Sequence, residues 1–239
     1  MYKRQIFLLD LRTQAYKNVG KHNSAELMID QFDECALHIG LWDGDKPIAA
    51  ARIINQLPSA EWEHDRFFDW PTSWPERSNT AEISRFLIHP RHRSWETLKL
   101  LCEGIAQGMF ITEKDYFIAC CTSDMEKFYS DYFGANMTGM YFKHSDLGPK
   151  QHQMFVCEYK QGIVGVGIGF RNWACLWAGT AADAITKGLI TKEKLKVNIL
   201  FVYLKAKIAC LFSPVMVLIN DKTRRRRRIT KWKNARSRV

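Results

Sequence analysis

The chain has 239 residues, 46% of them hydrophobic and 25% charged, enough for one ample globular domain with an extension. Its net charge of +10 is unevenly spread: residues 221–239 hold ten Lys/Arg and one Asp, a local +9, which leaves +1 for everything before them. A uniformly basic nucleic-acid-binding body is therefore excluded, and seven cysteines without a CxxC spacing argue for reduced core residues of a cytosolic protein rather than a disulfide or zinc framework.

Met1-Tyr2-Lys3-Arg4 leads into only a short apolar patch before Asp10 and Arg12, so no secretory leader is expected there. Leu8, Leu11, Ala15 and Val19 fall near one stripe and predict a helix over Leu8–Val19. A loop with Gly20, His22, Asn23 and Ser24 follows, then an acidic stretch, Ile29–Glu34, broken by Phe32. Ala36–Trp42 and Pro47–Ile54 read as strands joined at the hairpin signal Asp43-Gly44. A connection rich in Trp and Pro runs from Leu57 to Asn79 with Trp62, Phe67, Phe68, Trp70 and Trp74, aromatics that most often fill a core.

The most informative segment is Glu82-Ile83-Ser84-Arg85-Phe86-Leu87, a strand-like run over Glu82–Ile88 that carries two charges. Burying an unpaired charge costs several kcal/mol or forces a pKa shift, so both residues need a partner or a task. In a regular strand Glu82 and Arg85 would face opposite sides. A basic turn, His89-Pro90-Arg91-His92-Arg93, comes next, and its two histidines lack the further ligand a metal site needs. Ser94 then caps a helix with the period Leu98, Leu101, Cys102, Ile105, Ala106 and Met109. Tyr116–Cys121 reads as a buried strand in which the adjacent Cys120 and Cys121 point to opposite faces. Ser123-Asp124-Met125-Glu126 has the form of a capping box, Gly134 ends the short helix it opens, and Gln153–Tyr159 reads as a last strand. Strands and crossover helices in this order predict a mixed α/β sheet.

Beyond Gln161 the texture changes. Gly162–Gly169 is rich in glycine, and Val197–Ile219 is strongly apolar but broken by Lys205, Lys207 and Pro214. A spanning helix needs about 20 apolar residues, and each central Lys costs roughly 2.5–3.5 kcal/mol on insertion scales. An interfacial or packed helix is expected there rather than a span. The run Arg224–Arg228 behind it suits anionic headgroups. The chain thus divides into residues 1–160, an apolar extension over 161–220 and a basic tail over 221–239, the tail expected to be disordered.

Five motifs, in order, resemble the acyl-homoserine-lactone (autoinducer) synthases and the related N-acyl amino acid synthases of the GNAT superfamily. They are Leu11-Arg12-Thr13-Gln14-Ala15-Tyr16, Asp30-Gln31-Phe32-Asp33, Arg52 at the end of the second hairpin strand, Glu82-Ile83-Ser84-Arg85-Phe86, and Phe128-Tyr129-Ser130-Asp131-Tyr132-Phe133-Gly134. The likeness covers about residues 5–160. The resemblance implies a GNAT-like α/β fold, with a mixed, mostly antiparallel sheet flanked by helices and a C-terminal extension. It also implies a β-bulge in the Glu82–Ile88 strand, which would bring Glu82 and Arg85 to one site. Arg91–Glu96 has no glycine where the superfamily's pyrophosphate loop has several, a departure that suits an acyl-carrier-protein donor better than acetyl-CoA.

The implied reaction is attack of an α-amine on an acyl thioester by an N-acyltransferase. Glu82 is the candidate base, or merely an ion-pair partner of Arg52 or Arg12. Tyr129 resembles the tyrosine that protonates the leaving thiolate, and it suits aromatic packing equally. Arg12, Asp30, Asp33, Arg52 and Arg85 are expected to form a charge network that binds the acceptor. Backbone N–H groups of Phe86, Leu87 and Ile88 are candidates for the oxyanion hole. Arg91, His92, Arg93 and Ser94, at a helix N-terminus, are candidates for the donor's phosphate or else a solvated turn. The aromatics of Trp62–Trp74 are candidates for an acyl pocket as well as for core. No tightly bound cofactor and no metal are expected. The co-substrate is acyl-carrier-protein phosphopantetheine or acyl-CoA, and the acceptor is an amino acid or S-adenosylmethionine. A non-catalytic module whose tail grips membrane or nucleic acid is the alternative of another class. A cytoplasmic protein, with peripheral membrane contact through the tail, completes the expectation.

Overall fold

A computed structural model of the chain describes residues 3–18, 26–55, 62–143, 150–191 and 198–212. Helix α1 (Lys3–Asn18) begins five residues earlier than the stripe of leucines suggested. Strands β1 (Ala36–Asp43) and β2 (Lys46–Ile54) form the expected hairpin. Strand β3 (Thr80–Ile88) follows the Trp-rich connection, and helix α2 (Trp95–Thr112) leads to β4 (Tyr116–Thr122). Helix α3 (Glu126–Phe133) is followed by β5 (Asn136–Lys143) and β6 (Gln151–Glu158). Three short helices, α4 (Tyr159–Val164), α5 (Phe170–Leu176) and α6 (Ala178–Thr186), come next, and a further helix, α7, covers 199–212.

The six strands form one sheet in the order β1-β2-β3-β4-β6-β5. All pairings are antiparallel except β3 with β4, which α2 connects. The two faces follow from the period of two. Ala49, Ala51, Ile53, Ala81, Ile83, Phe117, Ala119, Cys121, Phe155 and Cys157 join the main core with α2 and the later helices. Ile54, Ile118, Met154 and Val156 face the other way, beneath Trp62. Helix α1 packs on that second face with Leu8 and Leu11 against Ala50. Gly108 lets α2 lie close to the hairpin, since a Cβ there would come within 2.6 Å of Ile53 Cδ1.

Several local expectations hold. The Ser94 hydroxyl accepts the Thr97 N–H at 3.0 Å and caps α2, and Gly134 ends α3 with φ of 64°. Others do not. The residue preceding α3 is Met125, and Ser123 makes no cap. Strand β5 has no clean alternation because its register with β6 shifts between Met137 and Tyr141, where Gly139 has φ of 73°. Tyr159 opens a helix rather than ending a strand.

Residues after 160 contribute to the main core. Trp173 is fully buried and donates from Nε1 to the Ile163 carbonyl at 2.6 Å. Lys205 of α7 lies with Nζ 4.6 Å from the Trp173 ring, while Val202, Ala206 and Ala209 are buried. No described helix is long and apolar enough to cross a membrane. Residues 213–239, with the arginine run, lie outside the described residues.

Truncating a buried Trp typically costs 3–5 kcal/mol. Trp173→Ala is expected to lower the unfolding free energy by about that much in a single transition shared with the sheet. Chemical denaturation followed by far-UV and near-UV signals checks this, and two separated transitions would show that the later helices fold apart from the sheet.

Candidate active site

Strands β3 and β4 pair only over Thr80–Glu82 and Tyr116–Ile118. Beyond these residues they have no shared ladder, and a cavity of about 200 Å³ runs through the gap. Its apolar wall comes from Ile83, Phe86, Ile105, Phe117, Phe133 and Phe155, and its polar wall from Glu63, His64, Ser84, Arg85 and Cys120.

The expected bulge is present. Ala50 pairs with Leu87 and Arg52 with Ser84, so β3 spends one residue more than β2 over the same span. Arg85 takes the strain, with φ of 55°, a conformation uncommon for a residue with a Cβ. The extra residue returns Arg85 to the face that Glu82 and Ser84 already occupy.

On that face the predicted charge network forms, and Glu63 joins it. Arg12 grips Asp33 with both nitrogens, at 2.9 and 2.6 Å. Arg52 donates to Asp33 at 2.8 Å, to Glu63 at 2.7 Å, to Ser84 Oγ at 3.0 Å and also to Asp30. Arg85 Nη2 reaches Asp30 at 2.9 Å and Glu63 at 2.6 Å. Three guanidinium groups thus meet three carboxylates. Arg12, Asp33 and Arg52 are sealed from solvent and support the site from behind, whereas Arg85 lies in the cavity wall. Its Nε and Nη1 are buried and have no hydrogen-bond acceptor among the described residues.

Burial pushes the Asp33 carboxyl up, but Arg12 and Arg52 override it and hold it down at about 2. Burial likewise lowers the Arg85 value, and Glu63, Tyr16 and Asp30 together more than restore it, so the guanidinium stays charged.

Glu82 pairs with neither Arg52 nor Arg12, the two partners expected for it from the sequence. Its partner is His64, whose Nδ1 contacts Oε1, and both side chains are buried. Burial disfavours the imidazolium, yet the Glu82 carboxylate raises the His64 pKa well above its ordinary value. The second Glu82 oxygen, Oε2, is buried with no donor among the described residues. His64 Nε2 lies 3.2 Å from Cys120 Sγ. His64 therefore stands between the cavity and Glu82.

The remaining expectations divide. Tyr129 lines the cavity, stacks on Phe155 at 4.7 Å, and has its phenol pKa raised by burial. His89 N–H donates to the Ile48 carbonyl, so strand alternation turns Leu87 N–H toward β2 as well. By the same alternation the Phe86 and Ile88 N–H groups turn to the side of β3 away from β2. Arg91, His92, Arg93 and Ser94 do not line the cavity. Arg91 and Arg93 are exposed, and the Ser94 hydroxyl is occupied in capping α2. Trp62, Trp70 and Trp74 pack edge-on against one another in the second core cluster and leave the cavity wall to others. Of the seven free cysteines, Cys35 and Cys210 are exposed, contrary to a wholly buried set. Among the described residues no group of acidic, His and Cys side chains could hold a metal ion.

Asp33 titrates lower folded than its ordinary 3.8, so its contribution is complete above 3.8 and is lost as pH falls toward 2. The shift corresponds to about 2 kcal/mol. Asp33→Asn is expected to flatten the acid limb of the stability curve in that window. It should also destabilise at neutral pH by about 3–5 kcal/mol, because Arg12 and Arg52 lose a buried partner. Urea titrations across pH check both effects.

No curated protein matches the chain by sequence. The model of the acetyltransferase (GNAT) domain matches residues 11–103. Among solved structures, the acyl-homoserine-lactone synthase LasI superposes with a TM-score of 0.53 at 14% identity, over 68% of this chain and 88% of that one. FeeM, an N-acyl amino acid synthase from uncultured soil microbes, gives 0.51 at 14% identity, over 65% and 91%. The CoA-dependent acyl-homoserine lactone synthase MesI gives 0.50 at 18% identity, over 67% and 86%. At these identities the likeness is one of fold. The match to the acetyltransferase (GNAT) domain runs from α1 into α2, and the chain shares its fold with these acyltransferases.

Proposed function

We propose that the chain is an N-acyltransferase that moves a fatty-acyl group from acyl-carrier protein or acyl-CoA to the amine of an amino acid. The observation that carries this reading is Arg85, a buried guanidinium in the cavity wall with two donor nitrogens, Nε and Nη1, unused. An α-carboxylate fits such a fork and would fix the neighbouring amine beside the polar wall. Asp30, partly exposed, and Glu63 flank the same guanidinium and favour a cationic amine. The apolar wall of Ile83, Ile105, Phe117, Phe133 and Phe155 suits the acyl chain and the thioester arm. Phe86 and Ile88 N–H groups are the proposed oxyanion donors. The amine's proton leaves by way of His64, with Glu82 as the carboxylate end of that path. Tyr129 is the proposed proton donor to the leaving thiolate. Arg91 and Arg93, with His92 beside them, are the proposed contacts for the donor's phosphate.

S-adenosylmethionine also carries an α-amino acid head, so the same Arg85 fork would serve an acyl-homoserine-lactone product. Mass spectrometry of lipid extracts from bacteria expressing the chain separates the two. N-acyl amino acids are expected, lost with Glu82→Gln and reduced with Arg85→Lys, which keeps the charge but not the fork. Acyl-homoserine lactones would move the acceptor to S-adenosylmethionine. An unchanged product from a folded Glu82→Gln protein would remove Glu82 from the proton path.

A membrane contact is favoured by α7. Leu200, Leu204, Ile208 and Leu211 form one exposed stripe, with Phe201 and Phe212 exposed beside it. An apolar stripe followed by a basic tail is the composition of an interfacial anchor. Deleting residues 221–239 is expected to abolish salt-sensitive binding to anionic liposomes while acyl transfer persists. Equal RNA binding by the intact chain, lost with the same deletion, would direct the tail to nucleic acid instead.

A further inference from the structure

We infer that Cys120, His64 and Glu82 form a nucleophile–base–carboxylate triad, and that the acyl group crosses the site covalently as a thioester on Cys120. This rests on the acyltransferase reading above and gives it a double-displacement course. Cys120 Sγ lies 3.2 Å from His64 Nε2, and His64 Nδ1 contacts Glu82 Oε1. That is the relation a nucleophile, its base and the base's orienting group require. Of the seven cysteines, Cys120 alone lines this cavity, together with His64. Glu82 is wholly buried behind them and cannot be the first group a substrate meets. The neighbouring Cys121 points the other way, into the main core, where burial raises its thiol to about 12.

The first half-reaction begins with the Cys120 proton on His64 Nε2. The sulfur attacks the donor's carbonyl carbon, a new C–S bond forms, and the donor's C–S bond breaks. The donor sulfur leaves as a thiol with the proton from His64, which is now neutral and on this course takes the place of Tyr129 as the acid. In the second half-reaction a neutral amine attacks the Cys120 thioester. Its N–C bond forms, its proton passes to His64 Nε2, and Cys120 departs as thiolate beside the restored imidazolium. Every proton and electron pair is returned, and no other reactant is needed. The order also suits a histidine held in its charged form by Glu82: it acts first as acid to the leaving thiol and only then as base to the amine.

The test uses the full chain with octanoyl-CoA and palmitoyl-CoA, and with the same acyl groups on acyl-carrier protein, in the absence of any amine. The expected result is a burst of about one equivalent of thiol. One acyl group should then appear by intact mass, removable by hydroxylamine and mapped to Cys120. Cys120→Ala and Cys120→Ser should lose the burst and reduce transfer to amines by at least about 10³-fold. A Cys35→Ser, Cys210→Ser protein should keep both. Wild-type transfer rates in folded Cys120→Ala and Cys120→Ser, with no adduct on the wild type, would overturn the triad and leave N-acylation by direct attack. An adduct on Cys120 without N-acyl product from any amine would support the triad and retire the amine acceptor. Neither adduct nor thiol release with any donor would overturn both.

Discussion

The site depends on one strained residue. Arg85 holds a left-handed backbone conformation inside a strand, a state that costs about 1–3 kcal/mol unless its surroundings enforce it. They do so through charge: Asp30 and Glu63 both bind the same Nη2. The bulge this creates brings Glu82, Ser84 and Arg85 onto one face and leaves Ile83 and Phe86 for the other. It lies just beyond the point where β3 loses its ladder with β4. The cavity, the charged wall and the freed backbone donors all follow from strands that stop pairing where the bulge begins.

Such an arrangement is stable only because the buried charges cancel. Three guanidiniums against three carboxylates leave no net charge beneath the cavity, and His64 with Glu82 adds a second balanced pair. Removing one member leaves a buried charge uncompensated, which is far costlier than replacing a pair with hydrocarbon. The two groups are used differently. Arg12, Asp33 and Arg52, with Asp30, Glu63 and Ser84 as further partners, are sealed from the cavity and act as scaffold, although Arg12 Nε too is buried without a partner among the described residues. Arg85 and Glu82, at the cavity edge and behind His64, each retain a buried polar atom that the described protein does not satisfy. Unsatisfied buried groups are rare in folded proteins and call for a ligand or a chemical task.

Much of this was legible in the sequence, for physical reasons that can be named. A Glu and an Arg within an apolar strand had to be partnered, and the period of two showed that only a bulge could bring them together. The period of α2 and its Ser94 cap were equally readable. Glu63 and His64 were not, because they sit in an irregular connection where no periodicity fixes a direction. Their one signal was the polar run Glu63-His64-Asp65-Arg66 between Trp62 and Phe67, in a segment whose aromatics read as core. Strand β5 escaped because Gly139 and a register shift erase its alternation. Ser123 to Glu126 has the letters of a capping box, but the chain turns over Thr122–Met125 first, with Met125 N–H donating to the Thr122 carbonyl, and the helix starts too late for Ser123 to reach it.

The C-terminal helices looked like an appendage in composition, yet they bound the apolar end of the site. Ile105, Phe117 and Phe133 line the main cavity and also a small neighbouring void of about 20 Å³. The far wall of that void is Tyr159, Gly162 and Ile163 of α4 with Trp177. Gly162 is tight against the Phe133 carbonyl, where a Cβ would sit at 3.0 Å, so α4 cannot withdraw or thicken without moving α3. Trp177 fixes the same corner by donating to the Tyr132 carbonyl. Helix α3 carries Tyr129 and Phe133 into the cavity, so the packing of α4 and α5 against it sets where those rings stand. The depth available beyond the charged wall is therefore a property of residues after 158 as much as of the sheet, and the chain past β6 belongs to the cavity's architecture.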